Sequence, residues 1–451
     1  MRGLIPWIKN AVGDRHLLQL LAGSAGLRIV GMGFSFLVGI QLARGLGAAG
    51  YGVYGVAMAV LAILMIPTEL GLPQLVTREV SAAVAADGGG ATHAIVRWGT
   101  RAVFFSSLAI AATTLFTLAV GFSEMDAELE STLLIGLLWI PLVAIGNIYG
   151  AALRGIHRVV AGQLGEFLLR PILVSLMLFV LLFAAGRTIS APFAMSVNVL
   201  ATAAAAVISI LLLRRAGRVG EKNHLPEGLR LGHALPMAMS EGMRVLGTQV
   251  GMLVLGVMAS KEDAGLYRVA WAIYAVTTMP SALVNVACAP TIARLHTQGK
   301  VVELARLNVF VSVLLSVASA VFFGLNMTWG SITVAQLFGQ EYQQASAVLA
   351  VFLAGELVAS LFGHPTVVLN MMRQQKAVMW WSVIALLLNL VVTIFMTRAI
   401  GHMGAAFGAA TGLVVWRAGC AGFAKARHGM DTSFFTRLFP AHPRDEHGRG
   451  R

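Results

Sequence analysis

Two arginines lie deep inside apolar runs of this chain, at matching places in an internal repeat. Ser24-Ala25-Gly26-Leu27-Arg28-Ile29-Val30-Gly31 reappears as Ser240-Glu241-Gly242-Met243-Arg244-Val245-Leu246-Gly247. Further on, Gly52-Val53-Tyr54-Gly55-Val56-Ala57 reappears as Gly265-Leu266-Tyr267-Arg268-Val269-Ala270, and Pro67 reappears as Pro280. Arg28 and Arg244 each stand about ten residues into an apolar run, which is roughly 15 Å along a helix. A charge at that depth in a bilayer costs at least about 2.5 kcal/mol and by default marks function. A guanidinium is suited to gripping phosphate, because its planar fork makes two parallel hydrogen bonds and stays charged. The repeated arginines therefore predict a wet, electropositive cleft. The alternative is local pairing that only holds helices together.

Acids supply the second set of candidates. Glu166 and Arg170, next to Pro171, stand at i and i+4 with the acid first, the favoured order for an intrahelical pair. Glu241 and Arg244 stand at i and i+3. Glu356 has no basic residue within a helical turn, so it reads as a lone buried carboxylate that protonates readily. Glu166, Glu241 and Glu356 are thus ion-coupling candidates, with plain neutralisation as the rival reading. Arg28, Arg244, Arg170 and Arg101 are the substrate-binding candidates. Arg268 and Arg417 read as snorkelling side chains. Pro67 and Pro280 would kink their helices at related points and serve as hinges, or merely bend them. No metal-ligand cluster, phosphate-binding glycine loop or nucleophile elbow appears. The expectation is no cofactor, no metal and no enzymatic activity.

The elements that must hold these residues are membrane helices. The chain is 57% hydrophobic and 12% charged, with mean hydropathy +0.79. A soluble domain carries about 25% charged residues. The apolar runs reach about 20 residues, a helical span rather than a barrel strand. They predict an all-α protein of about twelve spans, near 18–42, 52–74, 98–121, 132–153, 160–184, 190–212, 234–258, 267–290, 306–328, 345–369, 377–397 and 402–422. The net charge of +13 is no sign of nucleic acid, because basic residues gather in short loops on one side. Arg78, Arg97, Arg154, Arg158, Arg214, Arg215 and Arg294 belong to that side. The other side carries Arg44, Arg187, Lys261, Arg398 and the acids Glu124, Asp126, Glu128 and Glu130. The positive-inside rule then places both termini in the cytoplasm. Cys288 and Cys420, both in apolar runs, suggest no disulfide framework.

Six spans return the chain to its starting side, so the two repeats run parallel and form two facing bundles. The expected layout is a cytoplasmic interfacial segment 1–17, a bundle 18–213, a cytoplasmic linker 214–232, a bundle 233–422 and a basic cytoplasmic tail 423–451. The segment Met1–His16 lacks the layout of a cleaved signal peptide. The connections Gln74–Arg97 and Arg214–Gly232 are long enough for amphipathic pieces on the membrane surface.

Five stretches in order carry a resemblance. They are Leu42-Ala43-Arg44-Gly45-Leu46-Gly47-Ala48-Ala49-Gly50-Tyr51-Gly52-Val53-Tyr54, then Leu72 to Ser81 with Thr77-Arg78-Glu79, then Leu153-Arg154-Gly155 leading to Arg170-Pro171. Glu262-Asp263-Ala264-Gly265-Leu266-Tyr267 and Leu337-Phe338-Gly339-Gln340-Glu341-Tyr342 follow. Together they resemble the bacterial polysaccharide biosynthesis transporters. These are lipid-linked oligosaccharide flippases, O-antigen type included, in the multidrug/oligosaccharidyl-lipid/polysaccharide exporter superfamily. The resemblance implies a V-shaped transporter of twelve or fourteen spans in the bacterial inner membrane. It implies passage of an undecaprenyl-diphosphate-linked glycan to the outer face, with cavity arginines on the diphosphate. The expected partners are that lipid-linked glycan, membrane lipids, and a glycan polymerase with other assembly proteins; nucleic acid is not among them. The rival readings are an ion-coupled multidrug exporter, a membrane glycosyltransferase or polymerase, and a non-transporting member of a glycan-assembly complex.

Overall fold

The computed structural model describes residues 15–87, 89–121, 126–184, 189–216, 235–281, 301–372 and 374–428, with isolated positions between 284 and 298. Side chains are described from Gly23 onward and are left out around the borders of these segments, Glu241 included. All regular elements among them are helices.

Helix α1, Arg15–Glu69, is two spans in one. Gly47 takes φ 68°, a left-handed conformation open to glycine, and interrupts the helical geometry there. The Tyr51 hydroxyl returns to within 3.5 Å of a Cβ placed on Gly39, so the chain folds back at Gly47. Next come α2 Leu72–Asp87, α3 Thr92–Gly121, α4 Ala127–Gly155, α5 Ala161–Leu182 and α6 Ala191–Arg215. The second half holds α7 Leu235–Met258, α8 Lys261–Thr277, α9 Val301–Phe338, α10 Ala345–Ser360, α11 Pro365–Met371, α12 Gln375–Ile400 and α13 His402–His428. Eight helices among the described residues are long and apolar enough to cross a bilayer, and the first of them is the folded α1. Large apolar side chains such as Phe105, Phe116, Val257 and Phe395 face outward, as lipid solvent allows and water does not. The protein is a multi-pass membrane protein.

Local signals set several ends. Asp126 caps α4 by accepting from the Leu129 N–H, and Ser260 caps α8 by accepting from the Asp263 N–H, each at 3.1 Å. The connection after the second span holds α2, which buries Leu72, Leu75, Val76 and Val80 against α3 and α4. Its counterpart linker, 217–234, lies outside the described residues.

Four spans differ from the periodicity. The second ends at Glu69, because Leu70 and Gly71 both turn to positive φ before α2. Pro67 therefore sits in a last helical turn, and Pro280 follows the break at Thr278 that ends α8. Helix resumes at Met279, so Pro280 stands just past a break within the expected eighth span. The tenth span stops at Ser360 and restarts at Pro365, across Gly363 at φ 69°. The fifth contains a wide π turn, Leu164–Leu169, just before Pro171. The proline ring clashes with the carbonyl four residues back in a regular helix and brings no N–H to it. That carbonyl, on Phe167, faces Gly31 of α1, where a Cβ would lie 1.8 Å from the oxygen.

Within the amino-terminal half α4 packs on α1, α2, α3 and α6; within the carboxy-terminal half α13 packs on α7, α10 and α12. The halves meet chiefly where α1 lies against α7 and α8.

Candidate functional site

The Gly47 end of this contact is built on the repeat. A Cβ on Gly52 would stand 1.9 Å from the Lys261 carbonyl, and a Cβ on Gly265 would stand 2.1 Å from the Ala48 carbonyl. Gly52 matches Gly265 in the repeat, and Ala48 matches Lys261 at the same offset, so the two contacts are one contact seen from both sides. The helices approach this closely because both positions lack a side chain. Around the crossing, the Arg44 Nε donates to the Leu337 carbonyl at 2.8 Å, and its Nη2 donates to the Gln336 carbonyl. The Tyr342 hydroxyl donates to the Ala43 carbonyl at 3.0 Å, and the Ala48 N–H donates to Glu341 at 3.3 Å. Lys261 donates to Asp126 at 2.7 Å. This end is shut by bonds that join the halves.

The Lys261 ammonium holds the Asp126 carboxyl below the usual carboxylate range. A lowered folded value means that the pair stabilises the protein above the unfolded pKa of about 3.9 and loses that effect as pH falls through the lowered value. The pair is largely exposed, so it contributes at most about 1 kcal/mol. Asp126→Asn, which keeps the helix cap, is therefore expected to leave thermal stability between pH 5 and 8 nearly unchanged; a large loss would show the pair to be a main strut.

Toward the opposite end the carboxy-terminal half opens a cavity of about 950 Å³. Arg244 and Thr248 of α7 line it, with Trp271 and Tyr274 of α8, Phe352 of α10, and Lys376, Ser382 and Asn389 of α12. Trp416 of α13 completes it, and Gln74 of α2 reaches in from the other half. Behind the wall, Arg417 Nη2 donates to Glu356 Oε1 at 2.8 Å and the Tyr274 hydroxyl donates to Glu356 Oε2 at 2.8 Å. Glu356 is 3% exposed and Arg417 8%. Glu356 is thus not the lone carboxylate expected: its partner comes from another helix 61 residues away.

The amino-terminal half has a small cavity of about 30 Å³, room for a water or two. Asn147, Arg154, Glu166, Arg170, Thr202 and Ser209 line it. Arg154 donates to the Gly162 carbonyl at 3.1 Å, and the Arg170 guanidinium lies 5.7 Å from the centre of the Trp139 ring. The wide turn moves Arg170 off the face that a regular i, i+4 spacing gives, so Glu166 and Arg170 share a cavity in place of the expected ion pair.

The other candidates are scattered. Arg28 is exposed, donates to Gln163 at 3.3 Å and stacks on Phe167 at 4.8 Å; it lines neither cavity. The repeat therefore does not place Arg28 beside Arg244 on one lining. Arg101 is exposed on α3 and lines neither cavity. The side chain of Glu241 lies outside the described residues. Arg417, read from the sequence as a snorkelling side chain, is instead buried and paired with Glu356, and Tyr274 escaped notice because its partner is 82 residues away. The shut end had a legible trace: both close-approach glycines belong to the repeated motif.

A family model described as polysaccharide biosynthesis protein matches residues 23–296. No curated protein matches the chain. Among solved structures, the inward-facing conformation of a multidrug resistance MATE family transporter of the MOP superfamily is similar, with TM-score 0.74 and 13% identity over 90% of this chain and 98% of that one. The outward-facing conformation of such a transporter gives TM-score 0.61 at 13% identity, over 88% and 93%. A MOP superfamily transporter from Pyrococcus furiosus, whose binding pocket is described as having reverse polarity suggesting a different function, gives 0.62 at 15%, over 90% and 95%. At these identities the likeness establishes the fold.

Proposed function

This chain belongs to the polysaccharide biosynthesis protein family, and from that premise we propose that it is a flippase. It carries an undecaprenyl-diphosphate-linked oligosaccharide, of O-antigen or a related lipopolysaccharide type, across the bacterial inner membrane. The observation that carries the reading is the large cavity with Arg244 and Lys376 on its lining, placed away from the shut Gly47 end. A substrate whose head is a diphosphate and whose body is sugar needs cationic donors in a roomy polar cleft, and its polyprenyl tail can remain in lipid.

In this reading the Gly47 end is the outer one and both termini are cytoplasmic. The higher likeness to an inward-facing transporter supports a cavity open to the cytoplasmic leaflet. The head group enters there, Arg244 and Lys376 neutralise the diphosphate, and rocking of the halves transfers closure from the Gly47 end to the other. Arg28 and Arg170 act from the amino-terminal half only if rocking brings them toward the cleft. An exporter of organic cations is the weaker reading, because two cationic side chains on the cavity lining repel such cargo.

Deleting the gene is expected to trap the lipid-linked glycan in the cytoplasmic leaflet, and the wild-type gene is expected to release it. Arg244→Ala should fail to restore export, with transport down by about ten- to a hundredfold for the loss of a charge-assisted contact, while expression stays normal. Full export by this variant at wild-type level would remove the claim that Arg244 holds the diphosphate.

A further inference from the structure

One wall of the large cavity is aromatic and rigid. Trp271 and Tyr274 lie with ring centroids 5.5 Å apart, and Trp271 meets Phe352 at 5.5 Å and 78°. Tyr274 stacks on Phe352 at 5.2 Å and 28°, and Tyr267 closes the cluster from behind at 5.3 Å. The Tyr274 hydroxyl is tied to Glu356, and Glu356 is tied to Arg417, so the ring cannot turn away from the cavity. Trp416 faces the same cavity from α13.

The two halves differ in these rings. At the repeat-related positions of the amino-terminal half stand Met58 and Leu61, and the same kind of helix pair packs there with aliphatic side chains. The aromatic wall is an addition to the half that also presents Arg244, Lys376, Ser382, Asn370 and Asn389. Flat faces interleaved with amides and hydroxyls match a ligand that has an apolar C–H face and a polar rim. That is the chemistry of a pyranose ring. An acyl chain would set hydrocarbon against the Arg244 and Lys376 charges, which is unfavourable. An organic cation would stack on the rings but meet Arg244 and Lys376.

We propose that Trp271 and Trp416, backed by the buried rings of Tyr274 and Phe352, form a sugar-reading subsite, which seats the pyranose rings adjoining a diphosphate held by Arg244 and Lys376. The proposal rests on the flippase reading above and adds that this wall, more than the diphosphate contacts, decides which glycan is accepted. Fixed rings suit that task, because little freedom is lost on binding.

The test uses the full chain in lipid nanodiscs and two probes. One is the lipid-linked glycan extracted from the deletion strain in which it accumulates; the other is undecaprenyl diphosphate carrying no glycan. The wild type is expected to bind the glycosylated lipid more tightly. Trp271→Leu and Trp416→Leu, each removing an aromatic face, should each cut that preference by up to about tenfold, with undecaprenyl diphosphate binding unchanged. Trp271→Phe, which keeps an aromatic face, should retain most of the preference. If the variants weaken both probes equally, or if the wild type binds both lipids alike, the subsite is overturned and the flippase reading stands. If the wild type binds neither lipid, both fall.

Discussion

Replacing Arg417 by methionine is expected to destabilise the carboxy-terminal half by about 3–5 kcal/mol, the range for breaking a buried ion pair from one side. The reason is the orphan it leaves. Glu356 is 3% exposed and relies on Arg417 at 2.8 Å and Tyr274 at 2.8 Å. Without the guanidinium, the carboxylate keeps one hydrogen bond and no countercharge in an interior with little water. The double variant Arg417→Met/Glu356→Leu should recover most of the lost stability, because a buried pair exchanged for apolar side chains is often neutral. Thermal unfolding of the purified protein measures both; a stable Arg417→Met single variant would mean that the pair is not a charged one. Transport assays then separate scaffold from coupling. Glu356→Gln can keep both hydrogen bonds, so a stable variant with normal transport would strike Glu356 from the ion-coupling candidates.

The second large effect belongs to the glycine crossing. Gly52→Ala places a methyl 1.9 Å from a backbone carbonyl of the other half, where no side-chain rotation gives relief. The halves must part at the Gly47 end by more than an ångström. Overpacking of this kind costs about 1–3 kcal/mol, which shifts a two-state balance by about 5- to 150-fold. Cysteines replacing Arg44 and Gln336, in a background lacking Cys288 and Cys420, report closure by cross-linking. The yield should fall sharply in Gly52→Ala and equally in Gly265→Ala. Combining the two should add little, because both break the same contact. Undiminished cross-linking in both single variants would show that the halves can close without this crossing.

Much of the frame was legible before any coordinates. Apolar run length gave the spans, and the helices α7, α12 and α13 begin or end within a few residues of where periodicity puts them. The wide turn at Leu164–Leu169 was not legible as such, although Pro171 marked the place. Periodicity assumes regular helical spacing, and one proline was enough to separate Glu166 from Arg170. Pro67 and Pro280 both stand beside helix breaks, at Leu70–Gly71 and at Thr278, whose exact places the spacing did not give.

The chain by itself determined that this is a repeated, all-helical membrane protein, because the bilayer forces each span to satisfy its own backbone and to show its apolarity in sequence. It also marked Arg244 and the glycines of the crossing, since a repeat keeps related positions in related places. Tertiary structure alone decided which charges meet. Glu356 found Arg417 on another helix, Arg28 settled on Gln163 and Phe167, and the aromatic rings gathered around Arg244 in one half only. Partners across helices depend on packing angle and helix rotation, and neither is written in the spacing of residues along one helix.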